Sequence, residues 1–353
     1  MQDARRSRLE KQPTDPAATA RKTCYFGDRT LAKIAMQNFE YATARSVDGA
    51  IQLSTSESRY LAGGIDLVGE MKEYITSPKR IIDVKLIPDL DRIDTSTGTW
   101  KLGANVTIAE IAKNEPILAT LPGLAEAASE VGSPQIRNVA TLGGNLAQHS
   151  RCWYYRHRDL RCLKRGGSTC YARDGENKYH SLFSGNPCIS PLVSNLAVIL
   201  AALDAKVGVR RGDKEVTLTI EELFSDAWNN PLAHNSLLPG DLIAHVEIST
   251  RKNRSVYLQV SEKGAFDWAL VSCAAAGRNT QDHWADVSVF LGALAPIPFR
   301  VESPLLERGD LSREAIESIA ESVASKATPM AHNAYKVPVA QALVRRALTR
   351  IVS

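Results

Sequence analysis

The chain has 353 residues, 44% hydrophobic and 23% charged, an ordinary globular composition with room for two or three domains. A formal charge of only +4 gives no electrostatic reason to expect nucleic acid or a membrane surface as partner. No apolar run approaches the roughly 18 residues a spanning helix needs, and Arg5-Arg6 is followed by no apolar segment. Neither a secretory nor a twin-arginine signal is therefore expected, and the cytoplasm is the default. Export alongside a signal-bearing partner stays open.

Residues 1–35 are polar and charged without clear period, and read as an extension. Regular structure is expected from Met36. Tyr60 to Gly64 reads as a short strand entering a glycine turn, after which Asp66 is predicted to cap a helix with Leu67, Val68, Met71, Tyr74 and Ile75 on its apolar face. Strands are expected over Arg80–Ile87 and Trp100–Gly103. Thr107 and Glu110 form a T-x-x-E capping box that opens a helix. Leu121–Val131 reads as helical, and Thr141–Asn145 as a second glycine turn.

Next comes a loop from Cys152 to Cys188 with weak periodicity, a length uncommon inside a compact domain unless it has a function. Leu196–Leu203 reads as a helix feeding a strand at Ala205–Arg210. Leu237–Asp241 reads as a turn before a strand at Leu242–Ile248. A composition shift at Arg251–Arg254 marks a boundary. Strands at Val256–Val260, Ala269–Ala276 and Ala285–Leu294 follow, then helices at Ser312–Ala324 and Val339–Ile351. There is no internal repeat.

Three motifs carry chemistry. In Ala62-Gly63-Gly64-Ile65-Asp66-Leu67, adjacent glycines at a strand end let the backbone approach a ligand and turn N–H groups toward it. A helix starting just after adds its positive end, which favours phosphate. Asn138 to Asn145 repeats the arrangement some 80 positions on, with Thr141 and Asn145 flanking Gly143-Gly144. Two such turns can grip a diphosphate from both sides. Neither matches G-x-G-x-x-G, which disfavours a Rossmann site. A Gly-Gly turn alone is more often only a turn.

The third motif is Cys152, Cys162, Cys170 and Cys188, spaced C-x9-C-x7-C-x17-C. Without a signal peptide, clustered cysteines read better as metal ligands than as disulfides. The spacing lacks the close pairs of structural zinc sites and is looser than bacterial ferredoxin runs. It leaves zinc, a cubane iron–sulfur cluster and unliganded thiols open. The loop is also basic, and cations near a thiolate-ligated cluster raise its reduction potential. His157 and His180 read as surface residues rather than ligands, and Cys273 as a core strand residue. Cys24 has no assigned role.

Together the motifs resemble the FAD subunit of molybdenum hydroxylases of the xanthine dehydrogenase family, over about Met36 to the C-terminus. Residues 62–67 look like its first flavin motif and Asn138–Asn145, with T-L-G-G-N, like its second. Leu102-Gly103-Ala104 and Phe266-Asp267-Trp268-Ala269 also fit. A cysteine loop directly after T-L-G-G-N is similar to the branch with 4-hydroxybenzoyl-CoA reductase and periplasmic aldehyde oxidoreductase, whose loop holds a [4Fe-4S] cluster. It is the resemblance that favours iron over zinc.

The resemblance implies an α+β chain: a two-lobed FAD domain of the vanillyl-alcohol-oxidase (PCMH) type over 36–250, with the cysteine loop inserted at 150–190. A smaller C-terminal α/β domain of the CO dehydrogenase flavoprotein type would cover 251–353. Partners would be a large molybdenum-cofactor subunit, a small subunit with two [2Fe-2S] clusters, and ferredoxin or another electron carrier. Arg59, Tyr60, Leu61, Ala62, Gly63, Gly64, Ile65, Asp66 and Leu67 would line the flavin's diphosphate and ribityl region. Thr141, Gly143, Gly144 and Asn145 would close it, with Arg151 between it and the cysteine loop, and Lys263 and Asn195 as further contacts. Catalytic residues for the organic substrate would belong to the molybdenum subunit.

Ile65 stands where the family has Thr, Ser or Asn, and Asn195 where it usually has Asp, so retuned or weakened flavin binding is implied. The rival readings are a stand-alone flavin oxidoreductase and a flavin-free subunit stapled by zinc.

Overall fold

The computed structural model describes residues 36–280 and 283–353, and the architecture that follows is that of Asn38–Ser353. The expectations for residues 1–35 and Cys24 lie outside the described residues.

Three separate sheets organise the chain. β1 (Glu40–Thr43), β3 (Arg80–Asp83) and β2 (Ser58–Leu61) form a small parallel sheet in that order. β4 (Ile93–Asp94), β5 (Thr99–Gly103), β8 (Leu242–Ser249), β6 (Lys206–Arg211) and β7 (Lys214–Thr219) form a five-stranded antiparallel sheet. β9 (Arg254–Val260), β10 (Val271–Thr280), β11 (His283–Gly292) and β12 (Phe299–Arg300) form a second antiparallel sheet. Helices segregate from these sheets, and the chain is α+β as expected.

Three apolar cores result, two of them shared between sheets: the largest includes Ala274 and Phe290 of the C-terminal sheet, and the smallest joins Ile82 to Leu242 and Ala244 of β8. The largest is built around helix Asn195–Ala202, whose eight residues are all buried. That follows from its sequence, apolar nearly all round, which leaves no face for water. Helices Arg313–Ser325 and Lys336–Val352 are amphipathic. Their apolar sides join Val271, Cys273 and Leu291 in the C-terminal core. Cys273 is the core strand residue anticipated.

Local sequence signals explain most helix starts. Thr107 and Glu110 close the predicted capping box on Ile108–Lys113, and Thr219 with Glu222 forms a second one. The strand expected over Arg80–Ile87 stops at Asp83. There the Asp83 carboxylate accepts the Lys85 N–H at 2.9 Å and the Tyr41 hydroxyl at 2.5 Å, turning the chain away. Among the described residues no helix is long and apolar enough to cross a membrane.

Candidate functional site

A cavity of about 550 Å³ opens between the parallel sheet and the five-stranded sheet, within the range of small-molecule and cofactor sites. Every residue from Arg59 to Leu67 lines it, as do Thr141, Gly143, Gly144, Asn145, Arg151 and Asn195. Lys263 does not. It is exposed, and its neighbours Phe266, Asp267 and Trp268 reach the cavity instead.

The first glycine turn is open. Among the described residues, the N–H groups of Ala62, Gly63, Gly64 and Ile65 donate to no protein acceptor. Gly64 has φ +71°, a left-handed conformation that glycine reaches without strain. A Cβ on Gly63 would lie 2.1 Å from the Val139 carbonyl oxygen, so this glycine serves the approach of the second motif's backbone.

The second turn is closed. It is a short helix, Leu142–Leu146, rather than the expected turn. The N–H groups of Leu142, Gly143 and Asn145 donate to Val106, Ala104 and Thr141 carbonyls at 2.8–2.9 Å. The Gly144 N–H goes to Thr141 Oγ1 at 3.2 Å. Asn145 Oδ1 accepts the Ser194 hydroxyl at 2.6 Å, leaving its amide nitrogen for a ligand. Thus a single turn offers free amides, and the other buttresses it. Asn195 donates to Gln259 Oε1 at 3.1 Å.

Asp66 departs from its expected role. Its side chain caps nothing; helix Leu67–Lys72 begins without it, and Tyr74 and Ile75 fall outside that helix. Instead its carboxylate pairs with Arg151 and, at 2.6 Å, with Arg156, and accepts the His149 N–H at 2.7 Å. Burial pushes the Asp66 carboxyl up, but the charges of Arg151 and Arg156 outweigh it and hold the group below the ordinary aspartate range.

Glu70, one turn on, is 2% exposed. It meets His149 Nδ1 at 2.9 Å and accepts the Tyr155 hydroxyl at 3.0 Å, while His149 stacks on His234 with centroids 4.1 Å apart. The first glycine turn is therefore fastened to the start of the cysteine loop by a partly buried acid, Asp66, and a buried one, Glu70. Sequence reasoning missed Glu70, His149, Tyr155 and His234. Only the acid's place on the inward side of a predicted amphipathic helix signals it.

The cysteine loop has one helical turn, Trp153–Arg156, and one 3-10 turn, Leu163–Arg165. Its far end is held by the C-terminal region. Leu182 and Phe183 donate to the Leu294 carbonyl, Asn333 Nδ2 to the carbonyls of His180 and Ser181, and Lys336 Nζ to the Tyr179 carbonyl.

Cys152, Cys162, Cys170 and Cys188 all line one small cavity of about 10 Å³. Their thiols are free, as is that of Cys273. Mutual hydrogen bonding holds the Cys170 thiol down at about 6 and pushes Cys188 up. Among the described residues no group of three or more His, Cys, Asp or Glu side chains stands ready to hold a single ion. His180, expected at the surface, is 2% exposed, and its Nε2 lies 3.2 Å from Cys152 Sγ. Burial lowers its pKa to about 4, so it is neutral at pH 7. Among the described residues its Nδ1 has no partner. His157 is exposed as expected.

The open turn fits a flavin dinucleotide on three counts: unclaimed amides, a left-handed glycine and a cavity of adequate size. Comparison with known proteins agrees. Residues 37–249 match the FAD binding domain in molybdopterin dehydrogenase, and residues 256–351 the CO dehydrogenase flavoprotein C-terminal domain. The aldehyde oxidoreductase FAD-binding subunit PaoB of Escherichia coli K12 is 30% identical over 80% of this chain and 88% of its own. The carbon monoxide dehydrogenase medium chain of Hydrogenophaga pseudoflava is 25% identical over 88% and 96%. A solved carbon monoxide dehydrogenase from that organism, lacking the Mo-pyranopterin moiety, superposes with a TM-score of 0.69 at 22% identity, over 90% of this chain and 98% of that one. The chain belongs to the family of FAD-binding subunits of molybdopterin dehydrogenases, and is an oxidoreductase subunit of that kind.

Proposed function

We propose that this chain passes electrons between the [2Fe-2S] clusters of a small partner subunit and an external acceptor. It would do so inside a complex whose large subunit holds the molybdenum cofactor and the organic substrate. FAD supplies the step between two-electron and one-electron chemistry. The free N–H groups of residues 62–65, with the amide of Asn145 opposite, would bind its diphosphate. Phe266 and Trp268 would cover part of the cavity mouth.

We further propose a [4Fe-4S] cluster on Cys152, Cys162, Cys170 and Cys188. The observation that carries this is that all four line one cavity, in a loop whose arginines pair with Asp66 of the flavin turn. Four thiols suit either zinc or a cubane, and it is the resemblance of the inserted cysteine loop, not its geometry, that favours iron. On this reading 36–250 is the flavin domain, 150–190 the cluster insertion and 251–353 the C-terminal domain. An acidic carrier such as ferredoxin would dock by charge, and turnover with it would fall steeply with salt.

The test is anaerobic purification of the chain with both partners, followed by flavin, iron, sulfide and zinc analysis. Yellow-brown protein with stoichiometric FAD and about four irons and four sulfides per chain is expected. A colourless, zinc-loaded protein would end the proposal, as would full activity of this chain alone.

A further inference from the structure

Eight basic side chains lie between Arg151 and Lys178, and the structure separates one from the others. Arg151 and Arg156 pair with Asp66, and Lys178 with Glu262. Arg158 lies over the Tyr74 ring at 4.4 Å. Arg165 and Arg173 donate to loop carbonyls from partly exposed or exposed positions, and Arg161 is exposed. Lys164 is buried, 8% exposed. Its Nζ donates to the carbonyls of Ala233 at 2.7 Å and Pro231 at 3.3 Å. Among the described residues no carboxylate pairs with it.

A buried ammonium with only carbonyls around it is costly unless an anion balances its charge. Lys164 shares its cavity wall with all four loop cysteines. The lysine is thus explained by a negative centre in the cavity, and the centre is held by a fixed positive charge.

We infer that Lys164 is the buried counter-charge of the four-cysteine centre and sets its reduction potential, while the surface arginines do not. The inference rests on the cluster reading given above. When a cubane on four thiolates takes one electron, from reduced flavin or from the titrant, the net charge of the assembly becomes one unit more negative. No proton is needed and no bond is broken. A cation fixed in a low-dielectric pocket stabilises the more negative state and so raises the potential.

The experiment is an anaerobic redox titration of the assembled complex, followed by electron paramagnetic resonance, with iron, sulfide and FAD measured on each sample. Lys164→Met keeps the side-chain length and removes the charge. We expect at least a tenfold loss in the cluster's reduction equilibrium, about 59 mV for a one-electron couple, with flavin content unchanged. Lys164→Arg and the surface change Arg161→Gln should stay near wild type. A Lys164→Met protein with full iron and sulfide and an unmoved potential would overturn the inference and leave the cluster standing. If Lys164→Met fails to assemble the cluster while Lys164→Arg succeeds, the charge is required; if both fail, shape rather than charge is at work and the inference falls. Wild-type complex with FAD but no iron or sulfide would remove the cluster reading, and this inference with it.

Discussion

Gly63-Gly64 and Gly143-Gly144 look like twins in sequence and do opposite things in space. Among the described residues the first pair leaves its N–H groups unclaimed over the cavity; the second has its N–H groups taken by Ala104 and Thr141. Both first members are glycine because another backbone or side chain sits against them: Val139 against Gly63, Ala104 against Gly143. A repeated motif therefore need not mean a repeated contact. Here one copy presents donors and the other holds that copy in place.

The sharpest way to break this contrast is Gly63→Ala. Its Cβ would lie 2.1 Å from the Val139 oxygen, a backbone atom that cannot swing aside. We expect a loss of about 3 kcal/mol or more together with loss of bound FAD, read by thermal unfolding and flavin content. A variant with wild-type stability would mean that the two motifs do not press together.

Asp66→Asn comes next, at about 2 kcal/mol, because Arg151 and Arg156 would lose the anion they share in a partly buried site. The pH dependence has a definite sign. The Asp66 carboxyl lies below its unfolded value, so its contribution is complete above about pH 4 and disappears as the pH falls through the folded value. The asparagine variant should lack that part of the acid unfolding curve, compared in parallel urea titrations. Coincident acid limbs would show that the pair adds nothing.

The smallest effects separate the two turns most cleanly. Thr141→Val removes the cap on the closed turn and should cost about 1 kcal/mol with little change in flavin affinity. Ile65→Thr at the open turn should do the reverse. One added hydroxyl donor beside a phosphate contributes about 1 kcal/mol, a roughly fivefold tighter flavin, and Ile65 is 44% exposed, so stability should barely move. Equal effects of both changes on flavin affinity would erase the distinction drawn here.

Strands and capped helices were legible because their signals are local. The apolar runs of β8–β10 and the Thr107–Glu110 box need no distant partner. Helix Ile220–Asn229 and strand Lys214–Thr219 escaped the reading although Thr219 and Glu222 announce the helix as plainly as the first box does. Asp66 misled because an acid before an apolar run is a good cap, while its true partners lie 85 and 90 positions away. The motifs pointed to most of the residues that line the large cavity, though not to Glu70 and His149, which meet only in the folded chain. Lys164 was one basic residue among eight until burial singled it out. The glycine amides posed the same problem: sequence shows where donors exist, and only the fold shows which remain unclaimed.

The grip of Asn333 and Lys336 on residues 179–181 has a bearing on biosynthesis. The ribosome delivers the cysteines about 150 residues before it delivers that grip, so a nascent chain can hold the loop through Ala227, Ala233 and Leu294 while the carbonyls of residues 179–181 still lack these donors. Maturation of the thiol quartet should wait until translation is nearly finished. Stalled chains ending before Met330 ought to stay cleavable by protease near Tyr179, and protection at that point would refute such an order of events.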